Sequence, residues 1–157
     1  QVKNVSEVVR EGIQDVRGSL NRLRPGALEE RTLKDALEKT IREYQILSNL
    51  QVDLNYEWID VDMDVMIEDT IFRVIQESMT NAVRHGHASH MDLHFFEDEE
   101  DYMIELQDNG VGFETLTYGY GLKQMMERIS ILGGQLQFES RDGFFTRVSL
   151  PKYKEGR

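Results

Sequence analysis

Four polar side chains of the segment QESMTNAVRHG fall on one side of a predicted helix. On a helical wheel of about 100° per residue with Glu77 at the origin, Asn81 lies at about 40°. A carboxylate and an amide oxygen one turn apart suit a hard cation such as Mg²⁺, which binds phosphates at the same time. Arg84, at about 340°, and His85, at about 80°, are then placed to reach phosphate oxygens. A helix that simply faces water has the same pattern, so both interpretations stay open.

The stretch LQDNGVGF, residues 106–113, contains a second chemically useful group. Asn-Gly directly after a strand is a hairpin signal, but the chain continues through VGFETLTYGYGLKQMM into a helix and brings no returning strand. Gly110 and Gly112 instead let the backbone bend or be approached closely, because neither carries a Cβ. Asp108, at the end of the strand, offers a carboxylate that accepts from an N–H donor, and an aminopurine ring is one such donor. The segment therefore indicates a ligand-binding loop.

A third candidate is the segment GYGLKQMMER, where Gly119 and Gly121 precede a helix. The first backbone N–H groups of a helix have no partner within it. They attract phosphate together with the helix dipole. The same two glycines would also serve a tight loop connection. A short glycine pattern does not distinguish a phosphate-binding helix start from such a connection.

Other chemistries find little support in the sequence. The chain has no cysteine, which excludes disulfides and thiol catalysis, and it contains no Ser/His/Asp order, nucleophile elbow or P-loop pattern. Gly86 and a strand-like alternation break any helical face that the histidines could share, and no cysteine or close carboxylate completes a tetrahedral set. The sequence therefore predicts no metal cluster built on the four histidines, His85, His87, His90 and His94.

Length and charge bound the broader class. The 157 residues are enough for one globular domain with an appendage. A formal net charge of −11 disfavours nucleic acid as a partner, and no apolar run approaches the roughly 20 residues of a membrane span. We therefore expect a soluble chain without membrane contact of its own, in a compartment that the lack of cysteine suggests is the cytosol.

Hydrophobic periodicity predicts the elements that position these groups. An apolar stripe at steps of three and four over residues 1–23 predicts a long helix ended by RPG. It packs on its own domain or, as we expect, on a helix of a second chain. The remaining predicted elements are a helix over 32–49, a strand in QVDLNYEW, a helix over 64–84, strands in HMDLHFFED and DYMIELQ, a helix over 121–132, and a hairpin of QLQFES and FFTRVSLP.

This order predicts a two-layer α/β sandwich, a mixed sheet with helices on one face. The buried side of the helix over 64–84 is predicted to comprise Val65, Phe72, Ile75, Met79, Ala82 and Val83. The buried side of the helix over 121–132 is predicted to comprise Leu122, Met125, Met126, Ile129 and Leu132.

Taken together and in this order, QESMTNAVRHG, DNGVGF and GYGLKQMMERISILGG resemble the ATP-binding domain of two-component sensor histidine kinases. They are most similar to the membrane-stress and lipid-sensing subfamily with a very short ATP lid. The resemblance implies the fold of gyrase, Hsp90 and MutL for residues 31–157. Residues 1–25 resemble the second helix of the dimerisation and phosphotransfer hairpin, which makes a homodimer through this helix an expectation.

The resemblance also implies a role for each candidate. Asn81 would bind Mg²⁺ and Glu77 would orient the metal or its waters, while Arg84 and His85 would face the phosphates of ATP. Asp108 would accept from the adenine amino group. The remaining implied contacts are Gly110 and Gly112 in the base pocket, Gly119, Gly121 and Leu122 at the lid end and helix start, and Thr146 on the adenine side through water.

Further expectations concern what surrounds this site. The γ-phosphate would pass to a histidine on another helix of the same protein, absent from this chain, and then to a response regulator. The parent protein would be anchored at the cell membrane. A lid over 114–118 would close modestly and be mobile without nucleotide. Phe145 stands where the family has a glycine, and Gly86 where it has a small alanine-like residue.

Two alternative functions also fit the sequence. One is a regulatory nucleotide-binding module without phosphotransfer, and the other is a serine kinase of the anti-sigma type. The first is distinguished by whether a histidine-bearing helix occurs upstream of the chain. The second is disfavoured by the dimer-like stripe over residues 1–23.

Overall fold

A computed structural model describes residues 32–59, 61–113 and 119–152. The elements are α1 (Leu33–Ser48), β1 (Gln51–Tyr56), α2 (Val65–Arg84), β2 (His90–Glu97), β3 (Asp101–Asp108), α3 (Tyr120–Ile131), β4 (Gln135–Ser140) and β5 (Phe144–Pro151). Each corresponds to an element predicted from the sequence. The predicted first helix over residues 1–25 and the predicted lid over 114–118 lie outside the described residues.

The five strands form one mixed sheet in the order β1-β2-β3-β5-β4. β1 and β2 run parallel and are connected through α2, whereas the other three pairs are antiparallel. One face of the sheet carries the buried apolar residues, including Leu93 paired with Leu106, and shares a single core with the three helices. The alternate residues, such as Asp53 and Asp92, lie on the outer face. The predicted two-layer fold is confirmed.

Two of the described helices, α1 and α2, begin where a side chain caps them. Thr32 Oγ1 accepts from the backbone N–H of Asp35 at 3.2 Å before α1, and Asp64 Oδ1 accepts from that of Met66 at 2.7 Å before α2. α1 ends at Asn49, which adopts the left-handed conformation with φ of 58°. These local signals agree with the predicted bounds to within one residue.

Two residues predicted to be buried are not. Val65 is 50% exposed because it opens α2, and the burial of this helix begins only with Ile71. Met126 is 37% exposed, since Met125 and Ile129 are the positions of α3 that reach the core. Within the described ranges, no helix combines the length and apolar character that crossing a bilayer requires.

A buried polar contact joins α1 to α2, the helix that carries Glu77, Asn81 and Arg84. Tyr44, which is fully buried, forms a hydrogen bond of 2.9 Å with Thr80 Oγ1. Thr80 Oγ1 lies 2.9 Å from the backbone oxygen of Gln76, one turn earlier in α2. These bonds fix the rotation of α2 against α1, and therefore the direction of Glu77 and Asn81, which follow Gln76 and Thr80.

Candidate functional site

A cavity of about 610 Å³ lies between α2, α3 and the loop after β3. It is lined by every predicted site residue except Gly110, namely Glu77, Asn81, Arg84, His85, Asp108, Gly112, Gly119, Gly121, Leu122 and Thr146. The lining residues that were not predicted from the sequence as site residues are Ser78, Gly86, Met91, Phe113, Tyr120, Gln124, Met125 and Phe144. Three motifs that are separated in the chain therefore meet at one cavity.

Asp108 is the buried acceptor of this cavity, with 5% of its surface exposed. Its Oδ1 accepts from two backbone N–H groups, that of Gly110 at 2.8 Å and that of Phe144 at 3.0 Å. Within the described residues no group donates to Oδ2. The carboxylate is thus held by one oxygen, and the other remains available to a ligand that carries an N–H donor.

Gly110 does not line the cavity and has a packing role. A Cβ at this position would lie 2.5 Å from the carbonyl oxygen of Gly86 at the end of α2. The next residue, Val111, donates its N–H to that same oxygen at 3.0 Å. This close approach explains why position 110 carries glycine, and it places the loop after β3 against the polar end of α2.

The polar face of α2 points into the cavity as the wheel predicts. Glu77 and Asn81 are half-buried, whereas Arg84 and His85 are more exposed at the end of the helix. The start of α3 lies against this face, because a Cβ on Gly121 would come within 2.2 Å of Glu77 Oε1. Glu77 and Asn81 present the oxygen donors that Mg²⁺ prefers, so the residues present fit that ion.

The N-terminus of α3 lies at the cavity, and within the described residues no side chain caps it. Gly119 is the N-cap and provides no side-chain hydrogen bond to the first turn. Its φ of −78° is accessible to any residue, and a Cβ there would meet nothing within 4 Å. The open helix start at the cavity suits phosphate oxygens.

An aromatic wall forms the side of the cavity next to Asp108. The rings of Phe113 and Phe144 lie 5.1 Å apart, and that of Phe138 lies 5.5 Å from Phe144. Strand alternation could have revealed Phe144, because it shares a face of β5 with the predicted residue Thr146. Aromatic side chains beside a hydrogen-bond acceptor suit a purine ring.

Phe145, at the position where the resemblance implies a glycine, does not line the cavity. It is buried on the outer face of the sheet, with the Arg141 guanidinium 4.0 Å and that of Arg147 5.3 Å from its ring centre. Because successive side chains of β5 point to opposite faces of the sheet, Phe145 faces away from the side that carries Thr146. The change therefore adds no side chain to the pocket.

Comparisons with known proteins agree with this geometry. A family described as histidine kinase-, DNA gyrase B- and HSP90-like ATPases matches residues 66–154. The chain is 36% identical over 147 residues to the signal transduction histidine-protein kinase/phosphatase UhpB of Salmonella typhimurium, covering 90% of this chain and 29% of UhpB. It is 32% identical over 153 residues to the sensor histidine kinase YxjM of Bacillus subtilis, covering 96% of this chain and 37% of YxjM.

A solved structure supports the fold independently. The histidine kinase AdeS of Acinetobacter baumannii aligns with a TM-score of 0.67 and 19% identity, covering 78% of this chain and 64% of that chain. The chain spans about a third of the length of these two curated relatives, 29% of UhpB and 37% of YxjM. The matched family region contains every residue that lines the cavity.

Proposed function

Because the chain belongs to the family of histidine kinase-, DNA gyrase B- and HSP90-like ATPases, we propose that its cavity binds Mg-ATP and presents the γ-phosphate to a histidine. The two relatives described above are named as histidine kinases, YxjM as a sensor histidine kinase, and the chain is an ATP-binding catalytic domain of a histidine kinase. The acceptor histidine would lie on another helix of the same protein, since none of the four histidines here occurs in the expected context.

The observation that carries the proposal is that the two oxygens of the Asp108 carboxylate have different hydrogen-bonding roles. Oδ1 is bound to the backbone N–H groups of Gly110 and Phe144. Oδ2 is therefore fixed in space and accepts from the amino group of adenine. A 6-carbonyl purine would present an acceptor to the same oxygen, so this arrangement favours ATP over GTP.

The opposite end of the cavity receives the phosphates. Arg84 and His85 donate to phosphate oxygens, and the open N-terminus of α3 adds backbone donors. Glu77 and Asn81 hold the ion at this end. When bound, Mg²⁺ neutralises phosphate charge, which matters for a chain whose formal net charge is −11.

The chain contributes to phosphotransfer mainly by positioning and charge neutralisation. A ring nitrogen of the acceptor histidine attacks the γ-phosphorus, the bond to the oxygen that bridges the β- and γ-phosphates breaks, and ADP leaves. Arg84 stabilises the charge on the transferred group. Relay of the phosphoryl group to a response regulator, membrane anchoring of the parent protein and pairing through residues 1–25 remain proposals.

The experiment incubates the chain with labelled ATP, Mg²⁺ and a separately produced helical domain that carries the acceptor histidine. We expect acid-labile phosphohistidine on that domain, and none when its histidine is replaced by glutamine. Asn81→Ala should abolish transfer, and Asn55→Ala, at an exposed position of β1, should not. Acid-stable phosphoserine, or nucleotide binding without any transfer, would instead support one of the two alternatives, which the named relatives do not favour.

A further inference from the structure

A cluster of three metal-ligating side chains lies on the outer face of the sheet, away from the nucleotide cavity. Asp53 belongs to β1, and His90 and Asp92 belong to β2. His90 Nε2 lies 3.1 Å from Asp53 Oδ2 and 3.2 Å from Asp92 Oδ1, and the three atoms lie within 4.8 Å of one another. The expectation that no close carboxylate accompanies the histidines is thus wrong, because strand alternation places Asp92 on the face of His90 and strand pairing adds Asp53, which is distant in sequence.

The charges of this cluster are poorly balanced by the protein itself. Asp53 and Asp92 are direct partners in the parallel register of β1 and β2, and like charges at opposed positions destabilise a sheet. Across the described ranges, neither carboxylate forms an ion pair with lysine or arginine, and His90 is the partner of both. One imidazole Nε2–H is a single donor, so it cannot give each aspartate a full hydrogen bond.

We propose that Asp53, His90 and Asp92 bind one zinc ion, with water completing the coordination. Tetrahedral bonds of about 2.0–2.1 Å place neighbouring ligand atoms about 3.3 Å apart, close to the 3.1 and 3.2 Å found here. An imidazole nitrogen with two carboxylate oxygens suits Zn²⁺ and other transition ions, whereas Mg²⁺ favours oxygen alone. The site therefore differs in chemistry from that of Glu77 and Asn81.

The backbone around His90 holds the histidine in place. Its N–H donates to Asn109 Oδ1 at 3.0 Å, and its carbonyl oxygen accepts from the N–H of Asn109 at 3.1 Å. The side chains remain open to solvent, His90 with 34% of its surface exposed and both aspartates with 61%. Fixed strands reduce the cost of ordering the ligands, and the exposure leaves room for ion entry and for water.

Calorimetric titration of the whole chain with Zn²⁺ tests the proposal. The buffer contains excess Mg²⁺, which occupies the oxygen-rich site, and no nucleotide. We expect one zinc ion per chain, with Asp53→Asn and Asp92→Asn each weakening binding at least about tenfold. His94→Gln is the matched control, because His94 lies on the same strand with similar exposure, 37%, and pairs with Glu57 instead.

The nitrogen chemical shifts of the histidine rings identify the ligand directly. Zinc should shift the Nε2 resonance of His90 and leave that of His94 unchanged. Circular dichroism of each variant verifies the fold, which these exposed isosteric changes should preserve. Zinc affinity equal to that of the wild type in both asparagine variants, or a His90 resonance that zinc leaves in place, would overturn the proposal and leave His90 as a bridge between two aspartates.

Discussion

Asp108→Asn changes one atom of the buried carboxylate and separates its two hydrogen-bonding tasks. In the wild type, Oδ1 accepts from the N–H groups of Gly110 at 2.8 Å and Phe144 at 3.0 Å. An amide NH₂ in that position would face two donors, so the asparagine must place its carbonyl oxygen there. The NH₂ group is thereby forced to the position of Oδ2, which faces the ligand.

The size of the effect follows from this geometry. The adenine amino group then meets a donor where it had a charged acceptor. A hydrogen bond to a charged group contributes about 1.5–3 kcal/mol, and 1.4 kcal/mol corresponds to a factor of about ten in the dissociation constant. We therefore expect a loss of about 10- to 100-fold in ATP affinity. The two backbone bonds survive as neutral ones, so the free energy of unfolding should fall by only about 1 kcal/mol.

Measurements with inosine triphosphate show whether Asp108→Asn changes the nucleotide preference of the protein as well as its affinity for ATP. Inosine triphosphate carries a carbonyl acceptor at the position of the adenine amino group. The carboxylate of the wild type repels this oxygen, whereas the amide of Asp108→Asn donates to it. We expect the variant to bind inosine triphosphate more tightly than the wild type does, and more tightly than it binds ATP.

Titration calorimetry with each nucleotide and Mg²⁺ measures both affinities, and thermal denaturation confirms that the variant is folded. Asp35→Asn is the control, because it makes the same chemical change at an exposed carboxylate of α1 that does not line the cavity. Unchanged ATP affinity in a folded Asp108→Asn protein would refute the assignment of Asp108. So would an equal loss for both nucleotides, since that would indicate a general disturbance of the loop.

Two further predictions concern Glu77 and Tyr56. A Cβ on Gly121 would lie 2.2 Å from Glu77 Oε1, whereas one on Gly119 would meet nothing within 4 Å. Gly121→Ala should therefore displace the Glu77 carboxylate and weaken Mg²⁺-dependent nucleotide binding in calorimetry, whereas Gly119→Ala should not. Equal nucleotide affinities of the two variants would argue against the role of Glu77. Burial, and then the Glu68 carboxylate, raises the pKa of Tyr56 from 10.0 to about 12. The folded state thus holds this proton more tightly, so the free energy of unfolding is retained below pH 10 and declines as the pH rises towards 12. In denaturant titrations at several pH values, Tyr56→Phe should reduce this decline. An identical dependence on pH in wild type and variant would contradict the shift.

Local sequence patterns were sufficient for the elements and for most of the cavity. Caps and hydrophobic periodicity act within a few residues, so the helix bounds could be predicted closely. The polar face of Glu77 and Asn81 was likewise visible, because residues one turn apart share a side of a helix. Burial was predicted less well, as Val65 and Met126 show, because it depends on where the helix meets the sheet.

The sequence by itself determined which side chains are available for chemistry. The tertiary structure decided which of their atoms are already bound within the protein and which can contact a ligand. Asp108 was a candidate from its motif, but its Oδ1 is occupied because the N–H of Phe144 reaches it from β5. Strand alternation places Asp92 on the same face as His90, but only the parallel pairing of β1 with β2 brought the second carboxylate, that of Asp53, beside this histidine. The physical reason is the same in both cases. Strand register is fixed by the packing of the whole core, and local propensity cannot specify contacts between segments that are distant in the chain.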